Sequence, residues 1–313
     1  MPPILYKNRL SADHDTGDNH PEHVARVETL QALFGEAPFH KWAQKMAIPA
    51  TEEQILRVHD EQYYYSLQNF TPNQELIAID GDTMLSKGSF DSALHAAGSV
   101  VTAVDDIIKG QTQRAFCAIR PPGHHAEPGM AMGFCLFNNV MVGALQAIKQ
   151  HGCTKVAVID FDVHHGNGSE TMGYKHNGEN EDSKIFYASS HAYPLFPMTG
   201  DPRDNGPHLM NVRLEQDFAP EDFHLAYKQH ILPALDEFAP DFLMISAGFD
   251  AHVLDDISQA RLETEDFRCI TKELVKMANK HCDGRICSVL EGGYDLNTLK
   301  DSTRAHLEEL AEE

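Results

Sequence analysis

From about residue 90 onward the chain alternates apolar runs of strand length with amphipathic stretches of helix length, and no other feature restricts the fold as strongly. The strand candidates are RAFCAIR (114–120), KVAVIDFD (155–162), KIFYASS (184–190), HLMNVRL (208–214), DFLMISAG (241–248) and RICSVLE (285–291). Helix candidates lie at 90–109, 138–150, 220–238, 264–281 and 296–310. Strands that are apolar almost without interruption must be covered on both faces, so the pattern predicts an α/β fold with a parallel sheet flanked by helices on both sides. The first 89 residues read less clearly, with helices predicted near 22–34 and 52–68, and the polar, turn-rich segment GYKHNGENEDSK (173–184) reads as an exposed loop. No linker, repeat or low-complexity tract divides the chain, so residues 1–313 are expected to form one domain.

Charge narrows the partners. Lys and Arg number 25 against 47 Asp and Glu, a formal net charge of −22 that repels nucleic acid and anionic membranes and attracts cationic substrates. The six cysteines form no CxxC pair, which argues against a zinc ribbon or a disulfide framework and fits a reducing compartment. The opening MPPILYKNRL has no apolar signal region, and no apolar run approaches the ~18 residues that span a bilayer. The expectation is a soluble, cytoplasmic protein; a homo-oligomer stays open.

In an open parallel sheet, functional groups gather beyond the carboxyl ends of the strands. Four of the strand candidates end in polar clusters: His124-His125 behind Pro121-Pro122-Gly123, the run Asp160-Phe-Asp162-Val-His164-His165-Gly-Asn167, the run Gly248-Phe-Asp250-Ala-His252, and Glu291-Gly292-Gly293-Tyr294. Asp162 and His164 stand two apart at a strand end, where alternate side chains share a face, so both can reach one ion. With Asp250 they make an Asp2His set suited to Zn²⁺, and also to Fe²⁺, Co²⁺ or Mn²⁺. An isolated DxH is commonly a helix cap beside a solvated histidine, and an isolated HH a loop pair; the conjunction of four such ends favours chemistry. Two adjacent imidazoles could divide the work of a base and an acid, and Tyr294 behind two glycines could hold an oxyanion opposite a metal.

Taken together, RPPGHHA (120–126), GFCLFNN (133–139), DFDVHHGNG (160–168), SSHAYPLFPMTG (189–200), SAGFDAH (246–252) and EGGYD (291–295) resemble the zinc-dependent histone deacetylase family, including its bacterial amidohydrolase and acetylpolyamine amidohydrolase members. The resemblance implies the arginase/deacetylase fold: a central, mostly parallel eight-stranded sheet flanked by helices, with a tunnel leading to one catalytic Zn²⁺. It implies Asp162, His164 and Asp250 as zinc ligands, His124 and His125 as the tandem catalytic histidines, and Tyr294 as the carbonyl-polarising phenol. By motif position Asp160 faces His124, and Asn167 stands opposite His125. A carboxylate favours imidazolium and an amide does not, so His125 is expected to be the neutral base and later acid, and His124 the cationic partner. Gly133, Phe134, Phe196, Ile257 and Gly292 fall where the family builds its substrate tunnel. Asp160, Asp162, His164, Ser189 and Ser190 fall where it holds a structural K⁺.

The reaction this implies is hydrolysis of an N-acetyl amide, with acetyl-lysine of a peptide or protein ahead of an acetylated polyamine, because apolar Ile257 stands at the place of an acidic gatekeeper. Fe²⁺ stays open as the metal in the cell. A binuclear manganese ureohydrolase is disfavoured, since Gly166 and His252 replace the aspartates that would bridge a second ion. A binding module without chemistry is disfavoured because no ligand, histidine or tyrosine is missing. Two departures stand out: His23 follows His20-Pro21-Glu22 where arginine is common, and Met198 replaces a frequent glycine, narrowing the expected tunnel rim.

Overall fold

A computed structural model describes residues 2–46 and 48–312. Eight strands form one sheet: β1 (Ile4–Lys7), β2 (Gln44–Met46), β3 (Arg114–Ala118), β4 (Lys155–Asp160), β5 (Lys184–Ala192), β6 (Leu209–Leu214), β7 (Phe242–Ala247) and β8 (Ile286–Leu290). Their spatial order is β2-β1-β3-β8-β7-β4-β5-β6, and each of these pairings is parallel. One rung of the ladder aligns Asp160 with Ser246, Ser246 with Val289 and Val289 with Cys117. Four neighbouring central strands therefore end at the same level, and the polar segments following them emerge side by side.

The uninterrupted apolarity of the strands has a direct cause. Along β4, Val156 and Val158 enter one core layer, which packs under the helices Ser89–Ile108 and Asn139–His151. Ala157 and Ile159 enter the other, under the helices Ala25–Phe34, Thr264–His281 and Leu296–Leu310. Alternate residues point to opposite faces and both faces are dry. Each fully buried side chain of this size contributes about 1.5–3 kcal/mol relative to exposure. The six cysteines are free thiols. Among the described residues, no helix is long and apolar enough to cross a membrane.

Three parts of the sequence reading need correction. The expected loop 173–184 is largely helical, since a helix runs from Asn167 to Glu179. Its buried stripe is Ser169, Met172, Gly173 and His176, correct in spacing but with Met172 its one large apolar residue, so hydrophobicity does not reveal it. The helix predicted over 220–238 is interrupted by a π-helical turn, Tyr227–Ile231, just ahead of Pro233, whose ring nitrogen has no hydrogen to give the preceding turn. The predicted helix 52–68 is two helices, Glu52–Leu56 and Glu61–Phe70. Strands β1 and β2 were not foreseen: they are four and three residues long, and β2 is a polar edge.

Candidate metal centre and catalytic site

Asp162 and His164 follow β4 directly, while Asp250 arrives from the turn after β7, and one ligand atom from each lies within 4.8 Å of the others. His164 Nδ1 is 3.0 Å from Asp162 Oδ1 and 3.1 Å from Asp250 Oδ2. Backbone amides fix both carboxylates: Val163 N–H donates to Asp250 Oδ1 at 3.0 Å, and Gly292 N–H to Asp162 Oδ2 at 2.9 Å. Two glycines make room for them. A Cβ at Gly248 would sit 2.1 Å from Asp162 Oδ2, and one at Gly292 would sit 2.2 Å from Asp250 Oδ2. Gly292 thus lies against the two carboxylates.

The donor set fits a divalent cation. Asp162 and Asp250 are buried together, and among the described residues no Lys or Arg pairs with either. Burial and the Asp162 charge push Asp250 up to about 7, while burial of Asp162 is outweighed by His124 and His164, which hold it well below the carboxylate range. Two carboxylates and an imidazole aimed at one point suit a borderline metal with oxygen and nitrogen ligands.

His124 and His125 lie beside this cluster, their ring centroids 4.0 Å apart. His124 Nδ1 meets Asp160 Oδ2 at 3.0 Å, and its Nε2 is 3.9 Å from Asp162 Oδ2. His125 Nδ1 meets Asn167 Oδ1 at 2.9 Å. The orientation of that amide is fixed because Asn167 Nδ2 donates to Glu127 Oε1 at 2.6 Å. Burial alone would lower both histidines. At His124 the Asp162 and Asp160 charges prevail and raise it to about 10, whereas at His125 burial, reinforced by His124 and His164, prevails and lowers it far below the usual value.

Several residues that the sequence reading did not single out carry this arrangement. Glu291 Oε2 accepts the backbone N–H groups of Gly123 (2.7 Å) and His124 (3.1 Å), which fastens the histidine turn to the end of β8. Arg26 donates to the carbonyls of Gly293 (2.6 Å) and Glu291 (2.5 Å), and its guanidinium lies 4.9 Å from the centre of the Tyr294 ring. Buried Glu22 joins Arg26 at 3.1 Å to Arg120, which it accepts at 2.8 and 2.9 Å. The departure at His23 is therefore local, because Arg26, three residues later, carries the buried guanidinium. Glu22 and Glu291 stand inside the quoted HPEH and EGGYD stretches, so a charge within an otherwise buried motif was the available signal; Arg26 had none.

Phe196 packs edge-on against His125 at 5.0 Å, and Phe134 against Tyr294 at 5.9 Å. A Cβ at Gly133 would strike the His125 ring at 2.5 Å and Phe196 at 2.9 Å, so the absence of a side chain there permits the close approach. Ile257 lines an adjoining cleft of about 420 Å³ with Asp18, His20, His23, Asp256 and Tyr294. Burial raises the Tyr294 phenol far above its usual value, with Arg26 opposing, so it stays protonated. Met198 has φ 66°, the left-handed region in which glycine is at ease, and its side chain is exposed. Ser189 is in register with Asp160, and Ser190 follows it. The Asp160 carboxylate is engaged by Asp162 N–H, His124 and the Tyr187 hydroxyl.

Comparison with known proteins agrees with this geometry. The histone deacetylase domain profile matches residues 20–310. A probable deacetylase of Archaeoglobus fulgidus is 35% identical, with 90% of this chain and 79% of that protein aligned. A histone deacetylase-like amidohydrolase of Pseudomonas aeruginosa is 33% identical, with 93% and 76% aligned. The crystal structure of the HDA15 HD domain superposes with a TM-score of 0.90 at 28% identity, covering 99% of this chain and 91% of that one. The chain belongs to the histone deacetylase domain family, a class of hydrolases acting on amides.

Proposed function

We propose that this protein is a zinc-dependent deacylase that hydrolyses the acetyl amide of lysine in a peptide or protein to a free amine and acetate. The observation that carries this reading is the Asp162–His164–Asp250 cluster beside two histidines whose Nδ1 partners differ, a carboxylate for one and an amide for the other. Zn²⁺ held by those three residues, with Fe²⁺ the alternative in the cell, supplies Lewis acidity toward water and the amide carbonyl. Because Asn167 presents its oxygen to Nδ1, His125 carries its proton there and leaves Nε2 free to accept one. His125 thus takes a proton from the attacking water and returns it to the departing amine. His124, paired with Asp160, stays cationic and stabilises developing negative charge. The protonated Tyr294 hydroxyl donates to the same oxygen, while Gly133, Phe134 and Phe196 exclude water from the acyl chain.

Acetylpolyamine is the second substrate reading. Exposed Asp18 and Asp256 at the cleft favour it; against it, the Asp255 carboxylate is spent on the backbone N–H groups of Tyr294, Asp295 and Ile257, and apolar Ile257 lines the same cleft. For the same reason a single-ion centre is preferred to a binuclear one: Gly166 and His252 bring no carboxylate. A structural K⁺ near Asp160, Ser189 and Ser190 and residence in the cytoplasm complete the reading. The test compares turnover of an acetyl-lysine peptide with that of acetylputrescine and acetylspermidine, before chelation, after it and after zinc is restored. Faster, zinc-restored cleavage of the peptide is expected. Preferential cleavage of the polyamines would replace the substrate, and no cleavage of any by zinc-loaded protein would remove the enzyme reading.

A further inference from the structure

Outside the groups already described, a second pair of buried imidazoles lies behind His164. The rings of His165 and His191 are 4.7 Å apart, and both grip one short stretch of chain. His165 Nδ1 meets Thr199 Oγ1 at 2.7 Å, and His191 Nε2 meets the Gly200 carbonyl at 3.2 Å. Gly200 has φ +75°, and a Cβ there would lie 2.4 Å from His191 and 2.7 Å from His165, so the backbone rests directly on both rings. The other side of His165 is tied down as well. Its Nε2 meets Glu170 Oε2 at 2.9 Å, and that same oxygen accepts Asn211 Nδ2 from β6 at 2.6 Å. A carboxylate can only accept, so His165 Nε2–H donates to Glu170, and Nδ1 of that tautomer accepts a hydrogen bond from the Thr199 hydroxyl.

Thr199 and Gly200 close the segment that bears Phe196, and Phe196 is the ring against His125 and Gly133. The position of the acyl wall is thereby linked to a hydrogen-bonded chain, Glu170–His165–Thr199, that touches no reacting atom. We propose that Glu170 and His165 are positioning residues that set the width of the acyl tunnel through Thr199, and so determine which acyl group is accepted. This rests on the deacylase reading above.

The test uses Thr199→Val, which keeps the shape and loses the hydroxyl, Thr199→Ser, which restores it, and Glu170→Gln. A partly exposed hydrogen bond of ordinary strength corresponds to roughly three- to tenfold, so Thr199→Val and Glu170→Gln are expected to raise KM for an acetyl-lysine peptide by about that factor, with kcat and zinc per chain held within about twofold. The ratio of butyryl- to acetyl-lysine turnover should change in the same variants, and Thr199→Ser should return both readings to the starting values. Amide hydrogen exchange over residues 193–200, measured without substrate, should quicken in Thr199→Val and Glu170→Gln. Unchanged exchange and unchanged KM overturn the proposal, as does a parallel fall of kcat and zinc content, which marks a merely structural role. Should wild-type protein cleave no acyl amide, the deacylase reading fails, and the exchange measurement still decides whether the clamp exists.

Discussion

The two sides of the catalytic cleft differ by one functional group. On one side His124 faces the carboxylate of Asp160; on the other His125 faces the amide of Asn167. The histidines are neighbours in sequence and equally buried, but Asp162 adds to Asp160 in favouring the cation at His124, while His124 and His164 oppose it at His125. A buried carboxylate stabilises an imidazolium, and an amide oxygen merely selects a tautomer. The lesson is that the HH dipeptide announces two imidazoles, while the unlike groups at 160 and 167 underlie the division of labour proposed for them.

Removing the histidines tests that division most severely. His125→Ala is expected to lower kcat/KM by about 10²–10⁴-fold, the range for loss of a general base, and His124→Ala by less, with the acid limb of the pH profile retained. The assignment is reversed if His124→Ala erases the acid limb while His125→Ala keeps a substantial rate. A milder change makes the two sides alike. Asp160→Asn replaces the carboxylate by an amide and should cost about ten- to a hundredfold in activity, the usual range for a partner behind a working residue. An unchanged rate would mean that the charge on His124 is immaterial.

The converse change, Asn167→Asp, gives both histidines carboxylates. Its effect at the optimum is smaller, and its signature is in pH. An adjacent negative charge raises an imidazole pKa, so a larger fraction of His125 is protonated and unable to accept at a given pH. The acid limb of kcat/KM should therefore move to higher pH by about 1–3 units. A limb that stays in place would show that His125 is not the group titrating there.

How much of this was legible in advance follows from where the information lies. The strands β3 to β8 and the helices 264–281 and 296–310 announce themselves because they bury long apolar side chains at regular spacing. The Asp162–His164–Asp250 cluster was suggested by its place at strand ends, whereas the pairing of Asp160 with His124 and of Asn167 with His125, across 36 and 42 positions, came from the family resemblance. Glu22, Arg26 and Arg120 escaped because, beyond the local Glu22–Arg26 pair, their contacts join Glu22 to Arg120, 98 positions away, and Arg26 to Gly293. Helix 167–179 escaped for another reason, its buried stripe having Met172 as its one large apolar residue.

A third buried imidazole supplies the control with neither carboxylate nor amide. His306 hydrogen-bonds the hydroxyls of Ser288 at 2.8 Å and Thr271 at 2.6 Å, and packs against the rings of Phe116, Phe161 and Phe249. Burial lowers it from 6.5 to about 3. It is neutral in the fold, and the unfolded chain takes up its proton first as pH falls, so its contribution to stability is whole above 6.5 and drains away between 6.5 and about 3. The loss proceeds at about 1.4 kcal/mol per pH unit inside that window. His14, His59 and His191 are pushed down in the same way, to about 4, 4 and 3, so the comparison must be with a variant rather than with zero. His306→Gln keeps a donor and an acceptor but cannot titrate. Urea midpoints at pH 7 and pH 4.5 should show the variant losing less stability over the interval than wild type, while kcat at pH 7 changes far less than in any substitution above. Equal losses in the two proteins would mean that His306 is not held neutral, and that an imidazole between hydroxyls behaves no differently from one facing a carboxylate.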